Sequence, residues 1–402
     1  MALKIVINAA STKMGGAVRY LSELLRHFSA VRDVQFTVFL PPETERLLRG
    51  YGSNVRLLPT QISHSGVLKR LWWEQVTLRR FLKQNKADCL FSTANFAMFR
   101  CPVRQLLLIT NPLYSSQIYR KQFLSRHTWR YRLAFALRSR LVWQSVRAAD
   151  VVITPTKAML DDLRRYVQVK MAVVNPFGVE IPALDQKSQN ETANQSDAEG
   201  NRVIRLLYVS LYSEHKNLNT LLKAMAILNS RPGKRFKLIT TADPAWAGAA
   251  WTVTSQEDVA LARQAGIAEH VEFTALLSRE ETDALYRLAD IFVFPSVTES
   301  FGFPMAEAML HSLPVLAADT AVNREVCGKT AVYFDPLDAG DLATRLLHLA
   351  ADGALCRRLG KMGRHEATRR FCWSAHAGRI VEMAAAHGPD ACPGYQTVFP
   401  AQ

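Results

Sequence analysis

Long apolar runs are absent from this 402-residue sequence. No stretch approaches the roughly 18 consecutive apolar residues that indicate a membrane-spanning helix, so we expect no transmembrane segment. The apolar run Ile5-Val6-Ile7 is too short for the hydrophobic region of a signal peptide. The length favours two globular domains of about 150–200 residues each.

Cysteine is sparse and forms no recognisable framework. The six cysteines lack metal-ligand spacing and a pairing pattern: Cys89, Cys101, Cys327, Cys356, Cys372 and Cys392. Such a distribution is typical of free thiols in a reducing compartment, and it predicts a cytoplasmic protein. We also see no Asp-x-Asp pair placed to bind a metal ion, so we expect neither a metal nor another cofactor.

Acidic residues are missing from one long span, between Cys89 and Ala149. Ten Lys and Arg residues fall within it, eight of them between Arg120 and Arg147. They alternate with aromatic residues that favour interfaces: Tyr119, Phe123, Trp129, Tyr131, Phe135 and Trp143. This composition predicts an amphipathic helix on an anionic membrane surface. The alternative is an ordinary helix whose apolar residues lie in the core: Leu133, Phe135, Leu137, Leu141 and Val142.

The positive charge is concentrated in the first half of the chain. Residues 1–180 contain 28 Lys and Arg against 10 Asp and Glu, whereas residues 181–402 contain 22 against 25. An anionic partner of the first half is therefore expected. We do not expect nucleic acid, because no nucleic-acid-binding motif accompanies the charge. A nucleic-acid-binding protein remains an alternative class, which a band-shift assay at physiological salt would test.

Strand and helix patterns alternate in both halves of the chain, which predicts two doubly wound α/β domains. In the first βα unit, a strand over Leu3–Asn8 leads through Gly15-Gly16 into a helix over Ala17–Phe28. Asp185–Asn201 is polar and lacks apolar periodicity, which is typical of a linker, and we place the linker at residues 181–202. We therefore assign residues 1–180 to a first domain, residues 203–373 to a second, and residues 374–402 to a final helix and tail.

Two carboxylates bracket a glycine in the most informative segment, Ala289–Pro314. A buried strand over Ile291–Phe294 leads through a loop over Thr298–Pro304 into a helix that we expect to start at Ala306. Glu299 precedes Gly302 and Glu307 follows it. A loop that opens a helix presents backbone N–H groups suited to an anion, and carboxylates accept hydrogen bonds from sugar or ribose hydroxyls.

This Glu-x7-Glu segment, with Phe-Pro-Ser before it and Phe-Gly within it, resembles the family-4 retaining glycosyltransferases of the GT-B fold. The resemblance implies two Rossmann-like domains that face a central cleft, with the acceptor on the first domain and a nucleotide sugar on the second. It implies that Glu307 binds ribose, that Glu299 holds the sugar and that Lys216 stabilises the leaving diphosphate. Further donor contacts are implied for Gly15, Gly16, Ala275, Leu276, Ser300, Phe301, Gly302, Phe303 and Pro304. Glu325 is a further candidate sugar contact.

The sequence departs from the family pattern at two positions. Leu211 stands where the family has an arginine that binds the diphosphate. Asn111 stands where it has a histidine, and an asparagine can bind a sugar but cannot act as an acid or base. Lys216 is therefore expected to act with backbone donors or with another basic residue.

The resemblance implies a retaining, metal-independent hexosyltransferase that uses a UDP- or GDP-linked sugar and a glycan or lipid-linked acceptor. The basic first half favours a role in cell-surface polysaccharide or lipopolysaccharide synthesis, at the inner face of the cytoplasmic membrane. The alternative is a catalytically impaired nucleotide-sugar-binding protein, which Leu211 and Asn111 leave open.

Overall fold

The computed structural model describes residues 2–13, 15–48, 50–180, 203–230, 235–242, 255–274 and 277–386. The chain forms two compact units. Unit 1 comprises Met1–Gln117, Ser125–Gly178 and Cys372–Gln402, and unit 2 comprises Ile118–Leu124 and Val179–Phe371. The predicted linker over 181–202 lies outside the described residues.

Unit 1 is built on a seven-stranded parallel sheet with the strand order β3-β2-β1-β4-β5-β6-β7. The strands are β1 (Leu3–Asn8), β2 (Val34–Leu40), β3 (Val55–Pro59), β4 (Cys89–Ser92), β5 (Arg104–Leu108), β6 (Val151–Thr154) and β7 (Ala172–Val174). β4 and β6 are buried at every position. Such burial explains why they read as continuous apolar runs, since helices cover both faces of a parallel sheet.

The helices in this part of the chain are α1 (Gly16–Ser29), α2 (Pro42–Leu47), α3 (Val67–Trp73), α4 (Arg79–Gln84), α5 (Gln117–Gln122), α6 (Trp129–Ala148) and α7 (Lys157–Arg164). A π-helical turn over Glu74–Leu78 separates α3 from α4. Residues 118–122 of α5 belong to unit 2.

Unit 2 is built on a six-stranded parallel sheet with the strand order β10-β9-β8-β11-β12-β13. Its strands are β8 (Val203–Tyr208), β9 (Arg235–Thr240), β10 (Val271–Phe273), β11 (Ile291–Phe294), β12 (Val315–Ala318) and β13 (Ala331–Phe334). Its helices are α8 (Leu218–Asn229), α9 (Ser255–Gln264), α10 (Arg279–Leu288), α11 (Phe303–Leu310), α12 (Ala321–Cys327), α13 (Ala339–Ala351) and α14 (Gly353–Arg370). The doubly wound α/β fold predicted for both halves is confirmed.

The final helix, α15 (Trp373–Ala385), belongs to unit 1 and packs against α1. The Tyr20 hydroxyl of α1 lies 3.0 Å from Nε2 of His376, and Nδ1 of His376 lies 3.0 Å from the Pro176 carbonyl oxygen. Burial lowers the pKa of His376 to about 3. The ring is therefore neutral, so that Nδ1 donates to Pro176 and Nε2 accepts from Tyr20.

In each sheet the direction of winding reverses between two central strands. In unit 1 these are β1 and β4, and in unit 2 they are β8 and β11. Ligands of open α/β sheets bind outside the carboxyl ends of the strands at such a switch point. The loops that follow these four strands are therefore the positions at which the fold favours a ligand.

Candidate functional site

The switch point of unit 2 brings together the two residues predicted to be catalytic. Lys216 lies in the loop that follows β8, and Glu299 lies in the loop that follows β11. Nζ of Lys216 is 2.5 Å from Oε1 of Glu299, and the two side chains are only 22% and 9% exposed. A cation and a carboxylate thus meet where the fold favours a ligand.

Asn217 fixes the loop that carries Lys216. Its backbone is left-handed, with a φ of 59°, and its side-chain amide donates to the carbonyl oxygens of Pro295 at 3.1 Å and Pro336 at 2.7 Å. Because these prolines follow β11 and β13, one side chain connects the ends of three strands. The Tyr208 hydroxyl also donates to the Lys216 carbonyl oxygen, at 3.3 Å.

His215 connects the same two loops through its backbone. Its carbonyl oxygen accepts from the Val297 N–H at 3.0 Å and from the Ser296 hydroxyl at 3.3 Å. Nδ1 of its ring lies 2.7 Å from Oγ of Ser213. Burial, with a smaller contribution from the charge of Lys216, lowers the pKa of His215 well below 6.5. A neutral His215 therefore leaves Lys216 as the cation of this loop at neutral pH.

Gly302 sets the start of the helix that carries Glu307. It is the N-cap of α11, with a φ of 81°, and the first helical residue is Phe303. The prediction that the helix starts at Ala306 was wrong by three residues. Because Pro304 occupies one of the first two helical positions, where no intrahelical N–H is needed, it favours helix initiation instead of extending the loop.

Glu307 is buried, and a hydrogen bond from a tyrosine of α10 orients its carboxylate. The hydroxyl of Tyr286, itself buried, donates to Oε2 of Glu307 at 3.0 Å and lies 3.3 Å from the Pro304 carbonyl oxygen. The Tyr286 ring stacks on His311 with centroids 5.0 Å apart. The carboxylate therefore has a defined orientation before any ligand binds.

The other predicted residues of this segment differ in what they can offer a ligand. Phe301 is buried and packs edge-on against Phe303 and Phe371, so its ring serves the core. Ser300 is half-buried in the same loop. Pro304 was included among the expected N–H donors, which is wrong because proline has no N–H.

The remaining predicted contacts of the second half lie elsewhere. Glu325 is half-buried on α12, and its carbonyl oxygen accepts from Arg370 at 2.7 Å. Leu211 is half-buried and follows β8. Ala275 and Leu276 lie outside the described residues, so the donor contacts implied for them stay predictions.

The predicted residues of the first half belong to unit 1. Gly15 is the N-cap of α1 with a φ of 62°, and Gly16 is the first residue of that helix. Oδ1 of Asn111 accepts from the Leu113 N–H at 3.0 Å, which caps a short 3₁₀ turn.

Sequence reasoning missed a tyrosine in unit 2. Tyr119 was predicted to be an interfacial aromatic of the basic span, but it is buried, and its hydroxyl donates to Oε1 of Glu214 at 2.8 Å. Glu214 precedes His215 and Lys216 in the β8 loop. Phe123 and Phe135 are also buried, so these aromatic side chains cannot face a membrane. No local pattern indicates the Tyr119 contact, because 95 residues separate the partners.

The described residues contain no group of three or more His, Cys, Asp or Glu side chains arranged to hold a metal ion. The described part of the chain also has no helix with the length and apolar character needed to span a bilayer. Within it, Cys89, Cys101, Cys327 and Cys372 are free thiols.

Comparison with known families covers nearly the whole chain. Residues 14–181 match the family described as "Glycosyltransferase Family 4", and residues 189–366 match "Glycosyl transferases group 1". D-inositol 3-phosphate glycosyltransferase from Streptomyces avermitilis is 29% identical over 248 residues, which make up 60% of this chain and 52% of that protein. The match thus spans about half the length of this curated relative.

Solved structures share the fold. Sucrose-phosphate synthase from Thermosynechococcus elongatus superposes with a TM-score of 0.73 at 19% identity, covering 95% of this chain and 98% of that one. Anabaena HepE in complex with UDP-glucose gives 0.69 at 18% identity, covering 94% and 98%. These likenesses support the GT-B arrangement of two Rossmann-like domains.

Proposed function

This chain belongs to the group 1, family 4 glycosyltransferases, and from that premise we propose that it transfers a sugar from a nucleotide-diphosphate donor to a hydroxyl-bearing acceptor. The observation that carries the proposal is the ion pair between Lys216 and Glu299 at the switch point of unit 2. A diphosphate leaving group needs a cation, and a sugar needs acceptors for its hydroxyls. The pair supplies both.

In this proposal the arriving diphosphate takes Lys216 as its counter-ion, which frees the Glu299 carboxylate to accept hydrogen bonds from the sugar. The negative charge of Glu299 also stabilises positive charge at the anomeric carbon. Glu307, held by Tyr286, accepts hydrogen bonds from the ribose hydroxyls. Backbone N–H groups at the start of α11 stabilise negative charge on the donor.

We further propose that the transfer retains the anomeric configuration, with the leaving phosphate oxygen accepting the acceptor proton. Lys216 and the backbone donors neutralise the leaving group, so the proposed mechanism requires no metal ion or other cofactor. A UDP-linked hexose is the first donor to test, because HepE was solved with UDP-glucose, and a GDP-linked hexose is the second.

The site predicts separate effects for its two charged positions. Glu307→Ala should weaken UDP binding by about 10–150-fold, the loss expected for one charge-assisted hydrogen bond of about 1.5–3 kcal/mol. Lys216→Ala should chiefly lower kcat, by about 10²–10³-fold, because its charge acts most strongly on the departing diphosphate. Calorimetry with UDP and turnover of UDP-glucose and GDP-mannose would measure these effects.

Lys223→Ala is the matched control, because Lys223 is an exposed lysine on α8 of the same unit and should behave as wild type. Full activity of both site variants would overturn the site assignment. A protein that binds the donor but neither transfers its sugar nor hydrolyses it would instead support the catalytically impaired alternative, which Leu211 motivates.

We propose an anionic bilayer as a partner of unit 1, at the inner face of the cytoplasmic membrane. Helix α6 exposes one apolar row, in which Trp129 is 68%, Leu133 54% and Leu137 53% exposed. Residues four apart lie on one helix face. Exposed arginines accompany this row: Arg130, Arg132, Arg140 and Arg147. Each basic residue near an anionic leaflet contributes about 1 kcal/mol.

Attachment should therefore need both charge and the apolar row. The protein should sediment with vesicles containing phosphatidylglycerol at low salt and dissociate as salt rises. Changing Trp129, Leu133 and Leu137 to Ser should abolish sedimentation, whereas Leu337→Ser with Met362→Ser, at exposed apolar positions of unit 2, should leave it intact. Binding that is insensitive to salt, or equal in both variants, would contradict the proposal.

A membrane location suits a lipid-linked or cell-surface glycan acceptor, as in polysaccharide or lipopolysaccharide synthesis. That acceptor class is our proposal from the charge of unit 1. Turnover of UDP-glucose in the presence of membranes, followed by analysis of the glycolipid fraction, would test it.

A further inference from the structure

Unit 1 contains a buried carboxylate at its own switch point. Glu74 is only 7% exposed, and its Oε1 accepts a hydrogen bond from Nδ2 of Asn8 at 3.2 Å. Asn8 is the last residue of β1 and is itself buried. The carboxylate of Glu74 therefore lies at the carboxyl end of β1, where the sheet reverses its winding towards β4.

The backbone at Glu74 is irregular. Glu74 begins the π-helical turn Glu74–Leu78 between α3 and α4. Single π turns inside α-helices are uncommon and occur often at functional sites. The turn changes the direction in which the following side chains point.

A small pocket of about 40 Å³ adjoins the carboxylate. Its wall combines one acid, one base and a hydroxyl with five apolar side chains: Arg70, Leu71, Glu74, Phe96, Ala97, Phe99, Leu141 and Ser145. Phe96 follows β4 in the chain, so the pocket lies beside the ends of both switch-point strands. This volume holds a few hydroxyl-sized groups, which is one edge of a sugar or polyol ring.

We propose that this pocket is an acceptor subsite, in which Glu74, oriented by its hydrogen bond from Asn8, binds hydroxyl groups of a sugar or polyol and the ring edge rests against Phe96. The inference rests on the proposed glycosyltransferase function and specifies where unit 1 recognises its acceptor. Glu74 is a binding residue in this account, since its carboxylate orients the acceptor and takes no proton in the transfer.

The chemistry of the wall favours a hydroxylated ligand over an anion. A buried carboxyl group repels a phosphate, whereas it accepts hydrogen bonds from hydroxyls when ionised and donates one when protonated. Burial raises the pKa of Glu74, and the hydrogen bond from Asn8 and the charge of Arg70 oppose that rise. Either protonation state can therefore pair with a sugar hydroxyl, while the phenylalanines bury apolar ring atoms.

Saturation-transfer NMR on the full chain would test the subsite with three defined probes: methyl α-D-glucopyranoside, methyl α-D-mannopyranoside and myo-inositol. At least one probe should give a signal with the wild-type protein. Glu74→Gln should reduce that signal at least fivefold, because an NH2 group, which cannot accept a hydrogen bond, replaces one carboxyl oxygen at constant shape. Arg70→Met, at the more exposed part of the wall, provides a second variant and should also weaken binding.

Glu23→Gln is the matched control, since Glu23 is another buried carboxylate of unit 1, on α1, and does not line the pocket. It should retain the wild-type signal. Absence of a signal for all three probes, or an unchanged signal in both Glu74→Gln and Arg70→Met, would overturn the subsite.

The same samples separate this inference from the proposed function. UDP binding by calorimetry reports on unit 2 and should be equal in the wild type, Glu74→Gln and Glu23→Gln. If UDP binds and the probe signal is the same in the wild type and in Glu74→Gln, the subsite proposal fails and the donor assignment stands. If neither UDP nor GDP binds the wild type, the donor assignment itself fails.

Discussion

Gly302 shows how one residue sets the geometry of the segment from Glu299 to Glu307. Its φ of 81° lies in the left-handed region, and a Cβ added to it would lie 2.5 Å from Cε of Met305. Gly302→Ala should therefore destabilise unit 2 by about 2–4 kcal/mol, which combines the left-handed backbone penalty with overpacking. Urea denaturation would measure the loss.

Gly266→Ala isolates the backbone part of that effect. Gly266 has a φ of 66°, but a Cβ there would meet nothing within 4 Å. It should cost only about 1–2 kcal/mol. Equal losses at the two glycines would show that Met305 yields readily and that the close approach is unimportant.

At the scale of single residues, sequence reasoning indicated candidate site residues that lie within a recognisable motif. It did not indicate residues that reach the candidate site only through tertiary contacts. Glu299 and Glu307 follow from a local pattern and Lys216 from the family resemblance, and the ion pair between Lys216 and Glu299 spans 83 positions. The hydroxyl of Tyr286 and the left-handed backbone of Asn217 serve the same site. Their partners are distant in the chain, so no local pattern indicates them.

Secondary-structure elements were predictable wherever burial is continuous. β1 and β11 have the predicted ends, because apolar runs and turn residues define them. The π turn at Glu74 was not predicted, since its sequence has ordinary helical spacing. In α6 the basic residues were predicted to be exposed, but the choice between core and surface for Leu133 and Leu137 depends on how the helix rotates against the sheet.

The packing of α15 makes a prediction at this scale. A Cβ on Gly178 would lie 2.3 Å from Cγ of Trp373 and 2.4 Å from its backbone nitrogen. Gly178→Ala should therefore displace α15 and cost about 1–3 kcal/mol. Differential scanning calorimetry should detect a lower melting temperature for the transition of unit 1.

Gly378→Ala tests the same helix without the clash. A Cβ at Gly378 would meet nothing within 4 Å, and alanine favours a helix over glycine by about 1 kcal/mol. This variant should be neutral or stabilised. A Gly178→Ala protein as stable as wild type would contradict the packing described for Trp373.

For the whole molecule, buried neutral histidines predict how stability depends on pH. Burial lowers the pKa of His215, of His311 and of His376, the last to about 3. Below the unfolded value of about 6.5 the unfolded chain binds protons that the folded chain does not. Stability should therefore fall as pH decreases from about 6.5 towards 3, by up to about 1.4 kcal/mol per pH unit for each such histidine.

Urea denaturation at pH 7.5, 6.5 and 5.5 would measure this dependence. His376→Gln should lower the free energy of unfolding at every pH. It should also reduce the slope of that free energy against pH by the contribution of one titrating histidine. Constant stability between pH 7.5 and 5.5 would contradict the neutral, buried state of these rings.

The way unit 1 is divided along the chain has a consequence for its synthesis. Its core includes Tyr20 and Phe177, and both rings lie against residues of α15. Roughly 190 residues of unit 2 separate Gly178 from Cys372, and a ribosome needs about 10–40 s to add them. During that interval the apolar surface of unit 1 that packs against α15 has no partner. The nascent chain should therefore bind chaperones longest at unit 1.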